Sequence, residues 1–132
     1  MKPLRLLLVG ALLGGCVLTD SGVILNPPKP NVVVCVNAVS DNEALEMKEQ
    51  IKKEPFKDDR LTKAKVLGKD RCFKSKHVVV VMEAFSFEDD KLEIAKYLYS
   101  RTEDQQNYEI VVDALTFKSD KDELRDYINY FN

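Results

Sequence analysis

Three runs of apolar, largely β-branched residues limit what this chain can fold into: Val32-Val33-Val34-Cys35-Val36, Val78-Val79-Val80-Val81-Met82 and Ile110-Val111-Val112. Side chains branched at Cβ are stiff at χ1 and suit a pleated surface. Short apolar runs bounded by Pro, Ser, Asp or Asn read as strands, so strands are predicted over 32–39, 77–87 and 108–117. Helical signals lie between them. Ser40-Asp41-Asn42-Glu43 has the form of a capping box, and Leu45, Met47 and Ile51 continue a helix toward Glu54 and Pro55. Ser86 can cap a helix over 91–101 with Leu92, Ile94, Ala95 and Leu98 apolar, and Ser119-Asp120-Lys121-Asp122 opens a last helix through Leu124, Tyr127, Ile128 and Phe131. Residues 56–76 carry the weakest pattern: 61–67 reads as a short strand, and Gly68-Lys69-Asp70 as a turn into Arg71-Cys72-Phe73. The predicted class is α/β, an α+β sandwich whose three- or four-stranded sheet has helices mainly on one face.

The strands repeat. Val36-Asn37-Ala38-Val39-Ser40, Met82-Glu83-Ala84-Phe85-Ser86 and Val112-Asp113-Ala114-Leu115-Thr116 share the order apolar, polar or acidic, alanine, apolar, hydroxyl. Alternation across a strand puts Ala38, Ala84 and Ala114 on a face that helices can approach closely. The other face holds Asn37, Val39, Glu83, Phe85, Phe87, Asp113, Leu115 and Phe117. Half-exposed aromatics with single polar groups make it the candidate ligand surface; the competing expectation is that its aromatics are core under another helix.

Upstream, Lys2 and Arg5 form a basic n-region and residues 6–13 an apolar h-region. Leu13-Gly14-Gly15-Cys16 resembles the lipobox of bacterial lipoproteins. The resemblance implies cleavage by signal peptidase II, diacylation of Cys16 and, because Val17 and not Asp follows, the outer membrane facing the periplasm in a Gram-negative envelope. The apolar run over 6–18 is shorter than the roughly 20 residues of a span. Residues 1–15 are therefore expected to be a lipoprotein signal, 16–31 the lipidated cysteine and a tether with Pro27-Pro28-Lys29-Pro30, and 32–132 one domain.

Once Cys16 carries lipid, Cys35 and Cys72 remain as a pair in a compartment that permits disulfides. A bond between them closes a loop of about 36 residues and contributes roughly 3 to 4 kcal/mol in the chain-entropy model; two separately buried thiols are the alternative. Residues 52–76 hold ten Lys or Arg against four acids, and 77–132 hold six against thirteen. Such an uneven spread suits either an anionic surface or a solvated loop facing the acidic half of the same domain. Nothing in it selects nucleic acid.

Catalytic patterns are thin. Cys72 and His77 lack a third orienting group, one His with two Cys falls short of a zinc ligand set, and the five glycines form no phosphate-cradling loop. No metal or cofactor is expected. Glu83 and Asp113 are the best-placed pair of acids, and solvation or ion pairing is the ordinary fate of such groups.

Residues 33–51 and 79–98, each a strand followed by a Ser-Asp-rich helix start, are similar to the sporulation-related repeat, or SPOR, domain. That resemblance implies a βαββαβ module binding peptidoglycan glycan strands across an open sheet. Together these features predict a membrane-anchored, non-enzymatic envelope lipoprotein that binds a protein or the cell wall through its sheet face. The alternatives are a SPOR-like peptidoglycan binder and an immunity or inhibitor lipoprotein whose acidic half faces a basic toxin or hydrolase.

Overall fold

The computed structural model describes residues 35–132. The signal, Cys16, the tether and residues 32–34 of the first expected strand lie outside them. The described residues form six α-helices: α1 (Asp41–Lys52), α2 (Lys57–Gly68), α3 (Ser75–Met82), α4 (Glu88–Tyr99), α5 (Glu109–Asp113) and α6 (Lys118–Tyr130), with a 3₁₀ turn at Gln105–Asn107. The fold is all-α, and the expected sandwich is overturned. The only extended pairings among the described residues are two isolated parallel bridges, Ala38 to Cys72 and Phe73 to Thr102. The βαββαβ order implied by the SPOR resemblance goes with the sheet.

The strands expected over 77–87 and 108–117 are α3, α5 and the loops that follow them. A short continuous apolar run fits a buried strand and a buried helix equally well, and here packing decides. α3 touches α1, α4 and α5, which leaves His77, Val78, Val81 and Met82 at 3 % exposure or less. A helix covered on several sides needs no polar stripe. The segment read as a strand and turn over 61–70 is mostly α2, whose buried stripe is only Ala64 and Gly68.

The helices pair as three consecutive hairpins, α1–α2, α3–α4 and α5–α6. They stack into two layers, α1 against α3 against α5 and α2 against α4 against α6. The first layer tapers from 12 residues to 8 to 5 while the second holds 12, 12 and 13. One core runs between the layers, with Ile51, Phe73, Val78, Ile94, Leu98, Val111, Val112 and Leu124 no more than 1 % exposed. Gly68 marks the closest approach: a Cβ there would stand 3.1 Å from Leu98 and 3.2 Å from the Phe73 ring.

The segments between hairpins line up along one edge. Val39 N–H donates to the Cys72 carbonyl at 2.8 Å and Cys72 N–H to the Asn37 carbonyl at 3.0 Å; Phe73 N–H donates to the Arg101 carbonyl and Glu103 N–H to the Phe73 carbonyl, both at 2.8 Å. Each of these connectors carries an arginine that reaches back. Arg71 donates to the Asn37 and Ala38 carbonyls and to Glu43, and Arg101 to the Lys69 and Tyr97 carbonyls. The Arg71 guanidinium, together with Ser40, holds the Glu43 carboxyl below its ordinary value. The expected capping box forms, with Ser40 and Glu43 exchanging bonds at 3.2 Å.

α3 is capped from outside its own hairpin. Its N-cap is Lys74, a side chain with no acceptor. Instead Asp104 accepts from the Ser75 amide at 2.6 Å, and His77 Nδ1 accepts from the Lys74 amide at 3.3 Å. Burial pushes the Asp104 carboxyl up, but the Ser75 amide, the Asn107 side-chain amide and the Ser75 hydroxyl outweigh it and hold it below 3.8. A depressed carboxylate stabilises the fold above its unfolded value, and the contribution is lost as pH falls through the lowered one. Asp104→Ala is expected to cost about 1 kcal/mol at neutral pH. Asp104→Asn, which keeps an acceptor without the charge, should flatten the loss of stability below about pH 4. Urea midpoints measured between pH 7 and pH 2.5 would check both.

Candidate interaction surface

The edge opposite the connectors is formed by the hairpin turns. α2, α4 and α6 all begin there, side by side. Lys57 at the start of α2 pairs with Asp89 at 3.2 Å and Asp90 at 2.8 Å at the start of α4. Glu88 in turn accepts from the Thr116 amide just ahead of α6. The N-caps of these helices are Phe56, Phe87 and Phe117, with φ, ψ of −107°, 146°; −106°, 137°; and −94°, 140°. One backbone shape thus recurs at intervals of 31 and 30 residues.

All three rings are open to solvent, at 68, 55 and 58 % exposure. None can cap a helix, and none of the three N-cap side chains makes a capping bond. Ser, Asp or Asn at such a position typically contributes about 1 kcal/mol. Phenylalanine therefore stands three times where neither burial nor capping favours it. An aspartate follows three residues later in each case, Asp59, Asp90 and Asp120, where the helix dipole favours an acid.

The eight residues assigned to a sheet face part company. Val39, Phe85 and Leu115 are core at 4, 4 and 2 % exposure, because each sits where the chain turns beside a helix end and the interior is its nearest apolar surface. Asn37 belongs to the connector edge. Glu83 and Asp113 are exposed at the ends of α3 and α5; Glu83 takes the Lys48 ammonium at 2.9 Å and raises its pKa. Phe87 and Phe117 remain together, joined by Phe56. The alanines separate as well: Ala84 is buried, Ala114 half-buried and Ala38 exposed. Of the three repeats, 82–86 and 112–116 occupy equivalent hairpin turns, whereas 36–40 precedes α1. The equivalent turn of the first hairpin ends at Pro55-Phe56.

Behind the edge, the outer face of α2, α4 and α6 repeats too. Lys65 pairs with Glu93 at 2.7 Å and lies 5.6 Å from the Tyr97 ring; Lys96 pairs with Glu123 and lies 5.7 Å from the Tyr127 ring. Exposed pairs like these contribute about 0.2–1 kcal/mol each, so they set the register of neighbouring helices more than they stabilise them.

The chemistry considered at Cys72 and His77 is closed by geometry. Cys72 is bonded to Cys35. With Nδ1 of His77 accepting from Lys74, its proton sits on Nε2 and is donated to Asp41 at 2.7 Å. Both ring nitrogens are engaged, which leaves no lone pair for a base. The His77 and Lys76 hydrogen bonds hold the Asp41 carboxyl below its ordinary value. This group lines a groove of about 200 Å³ with Leu45 and Val80 between α1 and α3. Among the described residues, Cys35, Cys72 and Glu103 bring potential ligand atoms within 4.8 Å of one another, but the sulfurs are joined and offer no thiolate. No helix among the described residues is long and apolar enough to cross a membrane.

No curated protein and no solved structure matches the chain. A family model described as a domain of unknown function, DUF4476, matches residues 38–128. The match starts at the first bridged connector residue and reaches into the last turns of α6, and the chain belongs to that family.

Proposed function

We propose that this chain is a lipid-anchored protein of the bacterial cell envelope, facing the periplasm from the outer membrane, and that it binds another protein without catalysis along its hairpin-turn edge. The anchoring rests on the basic and apolar residues ahead of Leu13-Gly14-Gly15-Cys16 and on Val17. The binding role rests on one observation: three exposed phenylalanines at equivalent N-cap positions of three parallel helices. Single exposed apolar residues are ordinary, but a row of them on one edge marks an interaction surface. Beside the rings, one lysine, Lys57, faces two aspartates, so the local balance is one charge negative.

Cys16→Ala is expected to abolish palmitate labelling and release the chain from the membrane fraction. A photo-crosslinking side chain at position 87 should give a discrete protein adduct in intact cells, lost when Phe56 and Phe117 are both changed to Ser. Those changes should move stability by no more than about 0.5 kcal/mol each, as exposed sites do. No adduct, or an adduct indifferent to Phe56 and Phe117, would sink the binding role.

A further inference from the structure

Away from the turn edge, the connectors bring two sulfurs and a carboxylate to a single point. We infer that this chain, before its disulfide closes, holds a zinc ion on Cys35, Cys72 and Glu103, and that closing the bond expels the ion.

The ligand atoms of these three side chains lie within 4.8 Å of one another. Zinc stands about 2.3 Å from a thiolate and about 2.0–2.2 Å from a carboxylate oxygen, so neighbouring ligand atoms of a tetrahedral site are roughly 3.6–3.8 Å apart. Parting two bonded sulfurs to that spacing takes less than about 2 Å. Cys35, half-buried at the start of the described residues, can supply it by turning about its Cα–Cβ bond. The backbone keeps the rest in place without the sulfur bond. Cys72 N–H donates to the Asn37 carbonyl and Val39 N–H to the Cys72 carbonyl, while Phe73 N–H donates to Arg101 and Glu103 N–H to Phe73. The connector of the second ligand is thereby tied to those of the first and the third.

The donor set selects the metal. Thiolates are soft ligands and do not suit magnesium or calcium, a carboxylate does not suit copper(I), and the mixture suits zinc. Three protein ligands leave the fourth tetrahedral position to water. Two thiolates and a carboxylate around Zn²⁺ carry one net negative charge, and the Lys74 ammonium 3.4 Å from Glu103 balances it. That ammonium meets one carboxylate oxygen; the other has no partner among the described residues.

The exchange balances. A chain leaves synthesis with thiols, and binding Zn²⁺ releases their two protons. An incoming disulfide then takes two electrons from the two thiolates. One protein thiolate attacks a sulfur of that disulfide and displaces its first thiolate; the other attacks the mixed disulfide and displaces the second. The products are the Cys35–Cys72 bond, two external thiolates and free Zn²⁺. Half-buried Cys35 is the sulfur an incoming disulfide reaches, and buried Cys72 is the one that closes the ring.

The full chain carrying Cys16→Ala, which leaves Cys35 and Cys72 as its only thiols, would be reduced with a phosphine in detergent micelles. It is then titrated with Zn²⁺ against a chromophoric chelator, with circular dichroism followed in the same sample. One equivalent is expected per reduced chain and none per oxidised chain. Glu103→Gln should weaken binding at least tenfold and Cys72→Ser at least a hundredfold. Co²⁺ in place of zinc should show sulfur charge-transfer and the visible bands of a tetrahedral site. Oxidised glutathione should release one zinc for each disulfide formed. If reduction melts the helices, zinc is expected to restore them. No binding by the reduced chain, equal binding by Glu103→Gln, or zinc held by a chain that stays unfolded would overturn the site; zinc retained after the disulfide forms would overturn the exchange.

Discussion

Phe73→Ala should leave this domain close to unfolding. The ring is 1 % exposed and lies against Gly68 and Leu98 where the second layer comes closest to the connectors. Its backbone is at the same time the middle rung between Arg101 and Glu103. Truncating a buried phenylalanine costs about 3–5 kcal/mol through lost transfer energy and the cavity left behind, against a total of roughly 5–15 kcal/mol for a domain. The neighbours cannot close the gap easily, because two hydrogen-bonded connectors hold the site open. A guanidinium midpoint shift would measure it, and amide exchange should show α2 and α4 loosening together. Phe87→Ala, the same chemical change on an exposed ring, should move the midpoint hardly at all. A small shift for Phe73→Ala would mean that the interior repacks and that the connectors are not rigid.

Loss of the disulfide is the second large effect. Cys35 and Cys72 are 37 residues apart in sequence, and closing a loop of that length contributes about 4 kcal/mol in the chain-entropy model. The paired Cys35→Ser and Cys72→Ser variant should therefore unfold at lower denaturant than the oxidised chain and together with the chain treated with dithiothreitol. The backbone bonds of Cys72 to Asn37 and Val39 do not need the sulfur, so circular dichroism of the reduced form should still show six helices in the absence of denaturant. Coincident unfolding of oxidised and reduced chains would assign the pair no role in stability.

Three of the six helices were legible from residues alone. α1 carries a capping box, and α1, α4 and α6 show apolar residues at helical spacing with polar ones between. α3 and α5 were not, because Val78 to Met82 and Ile110 to Val112 are continuous apolar runs, and such runs record burial without saying which periodicity buries them. α2 was missed for the opposite reason. Lys57, Asp58, Asp59, Arg60, Lys63 and Lys65 leave it so little apolar stripe that its charge read as loop. Cap positions were displaced as well: Ser86 and Ser119 looked like the caps of α4 and α6, but Phe87 and Phe117 hold those places.

The surface was legible in part. Phe87 and Phe117 stood in the candidate set, though for a sheet face that does not exist, while Val39, Phe85 and Leu115 beside them went to the core. Phe56 was overlooked, yet the signal was present: a phenylalanine with an aspartate three residues on, at 56, 87 and 117. The period of about 30 residues was hidden because the matching pentapeptide at 36–40 belongs to a different place in the fold.

By the rise of a helix, α1, α3 and α5 are about 18, 12 and 7.5 Å long, so the first layer shortens along the stack while the second keeps its length. Beyond α6, Asp126 stands where Lys65 and Lys96 stand in the hairpins before it, and a fourth helix bringing the next glutamate would meet a like charge. The charge pattern that registers each hairpin against the next therefore ends with the third.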